Sequence, residues 1–263
     1  MIILFQNHQR LISRLTLLLL IVFIPDPTFA FKPDKTGHIV ITKVSLKKVV
    51  VISPTGKQKW NFSEKATDEI VESNVNVDQS EFFDASAHCD DETLDTCSER
   101  VLEKRKIVIA NLTSDTPDGP AARSTLGQAL HTIQDFYAHS NWVHNPGLNE
   151  TSINVTLGND RIKKPTIGQV TCKNGGRFGG NHQLTKDGLT QLTSGYFKLG
   201  PISPNKCHHG LLMNGINQDS DDKPFYQTAR DLAEKATYVY VQNIIRDLGS
   251  NEKAIRALLD ITK

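Results

Sequence analysis

Apolar positions recur at helical spacing through most of the chain, interrupted by polar or Gly- and Pro-rich connections. Between His38 and Val51 β-branched residues dominate, and Ile39, Thr42, Val49 and Val50 fit helix and strand periods alike; the segment is read as a helix. Ser63 to Val75 predicts a second helix, with Ser63 as N-cap and Ile70 and Val71 on the apolar side. Asn76 to Asp95 is polar and irregular and reads as a loop suited to carrying ligands. Ser98 to Leu112 is helical again, through Val101, Leu102, Ile107, Val108 and Leu112. Pro117, Gly119 and Pro120 punctuate a connection before another helix, which should stop before Pro146. From Asn149 to Asn205 the composition shifts to Gly, Thr, Asn and Lys, giving a long loop with room for a hairpin, and loops of that length tend to be functional or mobile. Helices return from Tyr226 to Leu248 and from Glu252 to Ile261. The expected fold is mainly α, a single helical domain over 31–263 with a long irregular insertion.

The helix after Pro120 carries the chemistry. His131, Asp135 and His139 stand four residues apart, and at about 100° per residue they lie near 0°, 40° and 80° around the axis. One cation could touch all three, or two could share the Asp. Leu126, Ala129, Leu130, Ile133, Phe136 and Tyr137 gather roughly opposite, so an amphipathic helix with a solvated polar face is the competing reading. Ser124, Gly127 and Ala138 border the stripe and would admit another backbone or a ligand, although glycine costs a helix interior about 1 kcal/mol relative to Ala.

The N-terminus changes the setting. Arg10 and Arg14 precede a largely apolar run from Leu15 to Ile24, then Pro25, Pro27 and Ala30, the pattern of a secretory signal peptide over 1–30; the run is too short to span a bilayer. A secreted, extracellular chain is expected, with no transmembrane span after cleavage. Asn-X-Ser/Thr sequons at Asn61, Asn111, Asn149 and Asn154 fit that route. Cys89, Cys97, Cys172 and Cys207 allow three pairings, of which sequence proximity favours Cys89 with Cys97 and Cys172 with Cys207. The net charge of +1 falls to zero when Arg10, Arg14 and Asp26 leave, so nothing steers the protein toward nucleic acid or an anionic membrane.

The run Leu126-Gly-Gln-Ala-Leu-His-Thr-Ile-Gln-Asp-Phe-Tyr-Ala-His-Ser-Asn-Trp-Val143 resembles the signature of the N-terminal domain of von Willebrand factor A domain-containing protein 7 and of the fungal incompatibility protein Het-C. Supporting pieces follow the same order: Gly37-His-Ile-Val-Ile-Thr42, Asn74 to Asp78, His88-Cys-Asp-Asp-Glu92, Cys207-His-His-Gly210, Gly215-Ile-Asn-Gln-Asp219 and Ala233-Glu-Lys-Ala-Thr237. More distantly these domains are similar to zinc-dependent phospholipases C and single-strand nucleases, helical enzymes with a trinuclear zinc site. That resemblance implies a zinc position built from Asp78, His88, His131 and Asp135, with His38 as the early histidine and His139 as the next helical one. Carboxylate and imidazole donors suit zinc. The chain departs from the phospholipases in presenting Phe31 where they begin with Trp. Tyr226 and Arg230 stand near the place of a late helical His-X-X-X-Glu, and His209 is the available substitute. The resemblance therefore implies one complete metal position rather than three.

These readings lead to a secreted zinc-binding module with a non-catalytic binding or structural role and an extracellular protein or phosphoester as partner. The alternative is a zinc-dependent phosphodiesterase or phospholipase C-like hydrolase, in which metal-activated water attacks phosphorus and Asp78 acts as general base. A metal-free helical domain is the third. Intact second-site ligands favour the enzyme; a closed four-ligand site favours the module. His144, His182 and His208 read as surface residues, Trp60 and Trp142 as packing residues. Gly175 to Gly180 lacks the ending of a phosphate loop.

Overall fold

A computed structural model describes residues 37–53, 55–144, 166, 168–175, 183–197, 201–210 and 215–261. The signal segment, the sequons at Asn149 and Asn154, His182 and residues 176–180 lie outside the described residues.

The β-branched run after the first histidine divides between two structures. Helix α1 spans His38–Lys47, and Val51–Ile52 then forms β1, paired antiparallel with β2, Lys59–Trp60. The expected helix to Val51 is thus too long: stiff β-branched residues from Val49 onward favour extended backbone once the helix has closed. Val51 and Trp60 face inward, and Arg256 covers the Trp60 ring at 4.6 Å. Trp142 is likewise buried against Phe136 and Tyr137, so both tryptophans pack.

Helix α2 spans Glu64–Ser80 and begins where the Ser63 hydroxyl accepts from the Ala66 N–H. It runs past Val75 and carries Asp78 on helix, not loop, because Val77 remains in phase with Ile70 and Asn74 on the buried side. The rest of the expected loop holds one turn of helix, α3 (Ala85–His88), ended by Cys89 in the left-handed region. Helix α4 spans Leu94–Thr113, and the disulfide Cys89–Cys97 ties its first turn to α3.

Helix α5, Gly119–His139, is capped by Asp118 and followed by a short 3-10 turn, Asn141–His144. It is the axis of the domain, packed by α2, α4, α7 (Tyr226–Leu248) and α8 (Glu252–Leu259). Its polar stripe is not solvated: His131, Thr132, Gln134, Asp135 and His139 are as buried as Leu126 and Leu130. The amphipathic reading fails because α1, α2 and α3 cover the stripe and loops bearing Asp90 and Asp219 close over its His139 end. Gly127 makes one of those contacts possible, since a Cβ there would sit 2.4 Å from the Ile70 carbonyl oxygen of α2. One turn nearer the N-terminus of α5, buried Arg123 donates to Glu69 and to the Ala257 carbonyl, fastening α5 to α2 and α8.

The insertion contains β3 (Cys172–Lys173) paired antiparallel with β4 (Gln183–Leu184) and a short helix α6, Lys186–Thr190. Its own apolar core is small: Cys172, Cys207 and Ile216 with Leu184 against them, joined by the disulfide Cys172–Cys207. Both disulfides are compatible with an oxidising, extracellular setting. Among the described residues no helix is long and apolar enough to cross a membrane.

Candidate metal centre

The packing of α1, α2, α3 and α5 brings His38, Asp78, His88, His131 and Asp135 into one cluster. Asp135 is its hub. Oδ2 lies 2.9 Å from both His88 Nδ1 and His131 Nε2, and Oδ1 lies 3.1 Å from His38 Nε2. Asp78 Oδ1 is 3.7 Å from His131 Nε2, which is itself 3.1 Å from His88 Nδ1. The His38 and His131 rings stack at 4.3 Å between centroids.

A polar network behind the cluster fixes one tautomer. Gln134 Nε2 donates to the Thr42 and Thr237 hydroxyls, so Gln134 Oε1 faces His38 Nδ1 at 2.6 Å and accepts its proton, with a second donor in Asn74 Nδ2. A neutral His38 then turns its Nε2 lone pair toward the Asp135 carboxylate. Two electron pairs at that distance require a proton or a cation between them.

His139 lies one helical turn beyond Asp135 but joins a second, adjoining cluster rather than sharing one cation with His131 and Asp135. Its Nδ1 is 3.0 Å from the His88 carbonyl and 3.3 Å from Asp90 Oδ1, and its Nε2 is 3.1 Å from Asp219 Oδ1. His209 Nε2 is 3.8 Å from Asp90 Oδ1, and Asn217 Nδ2 lies 3.3 Å from His209 Nδ1. If the His139 proton bonds the His88 carbonyl, Nε2 faces Asp219 as His38 faces Asp135. Asp90 and Asp219 escaped the sequence reading. Their signals lay in the His88–Glu92 and Gly215–Asp219 pieces, where no spacing marks one acidic residue as a ligand.

Burial costs every charge in these clusters, and the outcome depends on neighbours. It pulls His38, His88 and His139 down, yet facing carboxylates outweigh it and leave all three above the usual histidine value. Burial pushes the Asp135 carboxyl up, but the surrounding imidazoles, His131 first, hold it well below the usual carboxylate range. His131 goes the other way: burial, only partly offset by Asp135, lowers it to about 3 and keeps it neutral. Burial also lowers His209 well below its ordinary value, and raises Asp78 to about 7 and Asp90 to about 6. A neutral His131 beside an ionised Asp135 is the protonation state that metal binding needs, whereas His38, His88 and His139 would give up a proton to a bound cation.

The donor sets fit a divalent cation. Three groups bring ligand atoms within 4.8 Å of one another: His38, His131 and Asp135; Asp78, His88 and His131; Asp90, His139 and His209. Among the described residues buried Asp78 Oδ2 and Asp219 Oδ2 have no hydrogen-bond donor, and Asp90 Oδ1 and Asp135 Oδ1 have only imidazole nitrogens facing them, the nearest at 3.3 and 3.1 Å. Imidazole and carboxylate together suit zinc among other divalent ions. The clusters are not sealed: Asp78, His88, Asp90, His139 and His209 line a recess together with Phe82 and Phe197. A cavity of about 200 Å³ adjoins it, walled by Phe82, Phe83, Ala85 and Phe197.

The remaining sequence candidates sit elsewhere. Arg230 pairs with Glu234 on its own helix, and Tyr226 belongs to the apolar core. His144 is half-buried, with Nε2 2.9 Å from Gln218 Nε2 and its ring against Phe225. His208 is not a surface residue; it is buried, and its Nδ1 accepts from the Gly210 N–H.

A family model described as the VWA7 N-terminal domain matches residues 44–254. The chain is 36% identical over 162 residues to von Willebrand factor A domain-containing protein 7 of Rattus norvegicus, covering 54% of this chain and 17% of that protein. It is 34% identical over 164 residues to the protein of the same name in Homo sapiens, covering 55% of this chain and 18% of that one. The match therefore spans less than a fifth of the length of these curated relatives. No solved structure matches the chain.

Proposed function

The chain belongs to the VWA7 N-terminal domain family, and from that premise we propose that its paired clusters are a zinc centre of at least two ions with hydrolytic activity toward phosphoesters. The observation that carries the metal reading is the convergence of buried imidazole and carboxylate donors, three groups with ligand atoms within 4.8 Å of one another, beside the buried Asp78 Oδ2 and Asp219 Oδ2 that have no hydrogen-bond partner among the described residues. His38, Asp78, His88, His131 and Asp135 would hold the first ion or pair of ions; Asp90, His139, His209 and Asp219 would hold another. Bound zinc supplies an activated water and neutralises charge on phosphate oxygens.

The choice between a structural ion and a hydrolytic centre turns on access. A closed cage would leave no room for substrate, whereas the recess beside Asp78, Asp90 and His139 has room for about one water and shares His88 and Asp90 with the Phe-lined cavity of about 200 Å³, which supports an open centre. Asp78 lines that recess and its Oδ2 has no hydrogen-bond partner among the described residues, which supports Asp78 as the group that would take a proton from attacking water. Asn217 and the His88 carbonyl orient the second-cluster rings, and Phe82 and Phe197 narrow the approach of bulk water. Entry through a signal peptide over 1–30 and glycosylation are part of the same reading, with an extracellular phosphoester as partner.

Equilibrium dialysis with zinc should give two or more ions per chain. The zinc-loaded protein should then hydrolyse bis(p-nitrophenyl) phosphate or phosphatidylcholine vesicles, stop with EDTA and recover with zinc. Tight zinc binding without turnover on either substrate would leave the ions a structural role and reject the hydrolytic one.

A further inference from the structure

The two clusters are assembled differently. The first is held by helices of the main core, whereas the second joins Asp90, just after α3, to His209, which comes from the insertion more than a hundred residues later. No direct hydrogen bond links them, since the His209 Nε2 to Asp90 Oδ1 distance is 3.8 Å. Something else must set that separation.

Glu92, two residues beyond Asp90, reaches into the insertion. Its side chain is 11% exposed and accepts four bonds: Oε1 from the Thr193 hydroxyl at 2.6 Å and the Thr171 hydroxyl at 3.3 Å, Oε2 from Lys206 Nζ at 2.7 Å and the Tyr196 hydroxyl at 3.2 Å. The donors come from three separate stretches of the insertion. Each leads to the second cluster: Gly195 N–H donates to the His139 carbonyl, His209 N–H donates to the Tyr196 carbonyl, and Lys206 precedes Cys207, which is bonded to Cys172 beside Thr171. The backbone adds to this clasp, with Asp91 N–H on the Gly195 carbonyl and Glu92 N–H on the Ser194 hydroxyl. Asp91 and Glu92 both hold φ near +60°, at 57° and 59°. Non-glycine residues persist there only when their surroundings over-determine them.

We infer that Glu92 is a positioning residue for the second metal site: it touches no ligand atom, yet it holds the Asp90 loop and the His209 loop at ligand separation through Lys206, Thr171, Thr193 and Tyr196. The first site shares none of these side-chain contacts and meets the second at the His88 carbonyl, 3.0 Å from His139 Nδ1, so its ligands should be less affected. This rests on the metal reading above. Removing an outer partner of this kind costs roughly 10–100-fold in metal affinity.

The test uses the full secreted chain loaded with cobalt(II), whose visible absorption reports each site during titration. Wild type should fill at least two sites. Glu92→Ala and Lys206→Met should each weaken the later-filling, second-site component tenfold or more while the first-site spectrum and affinity change less, and Glu92→Gln, which keeps an acceptor for the hydroxyls, should fall between. Far-UV circular dichroism checks the helical body, and Lys206→Met carries the test if Glu92→Ala does not fold. Unchanged second-site affinity in a folded variant, or equal weakening of both sites, would overturn the positioning role alone. Absence of cobalt from the wild-type protein would overturn it together with the metal reading.

Discussion

Gly127→Ala is the most discriminating structural perturbation, because two effects of known size oppose each other at this position. In an exposed helix the change would stabilise by about 1 kcal/mol. Here the new Cβ would lie 2.4 Å from the Ile70 carbonyl oxygen, 2.8 Å from Ser73 Cβ and 2.9 Å from the Asn74 N–H nitrogen. Ordinary contact begins near 3.4 Å, and two of these atoms are backbone, so no rotamer change relieves the overlap and α2 must back away by about 1 Å. Overpacking costs about 1–3 kcal/mol, and overlap with two backbone atoms puts this position in the upper part of that range, about 2–3 kcal/mol. With the propensity gain subtracted, a net loss of about 1–2 kcal/mol follows, or a melting temperature lower by roughly 2–8 °C for a domain of this size. The displaced turn carries Asn74 and is followed by Asp78, so metal affinity should fall as well. Thermal melts in EDTA and in zinc measure both effects. A variant as stable as wild type or more so, with unchanged zinc affinity, would refute the close approach of α2 and α5.

Gln134→Leu removes the acceptor that fixes the His38 tautomer and strands Asn74, Thr42 and Thr237, so zinc affinity measured by chelator competition should drop by about 10–100-fold; unchanged affinity would remove that network from the site. Arg123→Met should cost about 1–3 kcal/mol in denaturant unfolding, since it deletes charge-assisted bonds to Glu69 and to the Ala257 carbonyl. Glu69 keeps contact with solvent and Lys65, which holds the loss below that of a sealed pair. Stability equal to wild type would mean that this junction contributes nothing.

The helical frame was legible because apolar spacing records which face is covered. Tyr226–Leu248 and the Ser63 cap follow directly from it. The pairing of the four cysteines by proximity is also the pairing in the structure. Spacing does not record whether a polar face meets water or other polar groups, and the stripe on α5 reads the same either way until α1, α2 and α3 cover it. His131 and Asp135 announce themselves by repetition at helical spacing. Asp90 and Asp219 do not, since each owes its place to a single loop folded onto α5. The long polar insertion has little apolar periodicity to read, and its order comes from a disulfide and from side-chain bonds to Glu92.

The decisive measurement is elemental metal analysis of the purified protein beside its Asp135→Ala variant. Asp135 lies within 3.1 Å of three imidazole nitrogens, so its removal takes away the hub of the first cluster and the partner of His38 Nε2. Two or more zinc ions per chain are expected in the wild type, with the loss of at least one in the variant and a lower melting temperature. A wild-type protein that carries and takes up no divalent metal, or a variant with the same metal content and melting temperature, would contradict it.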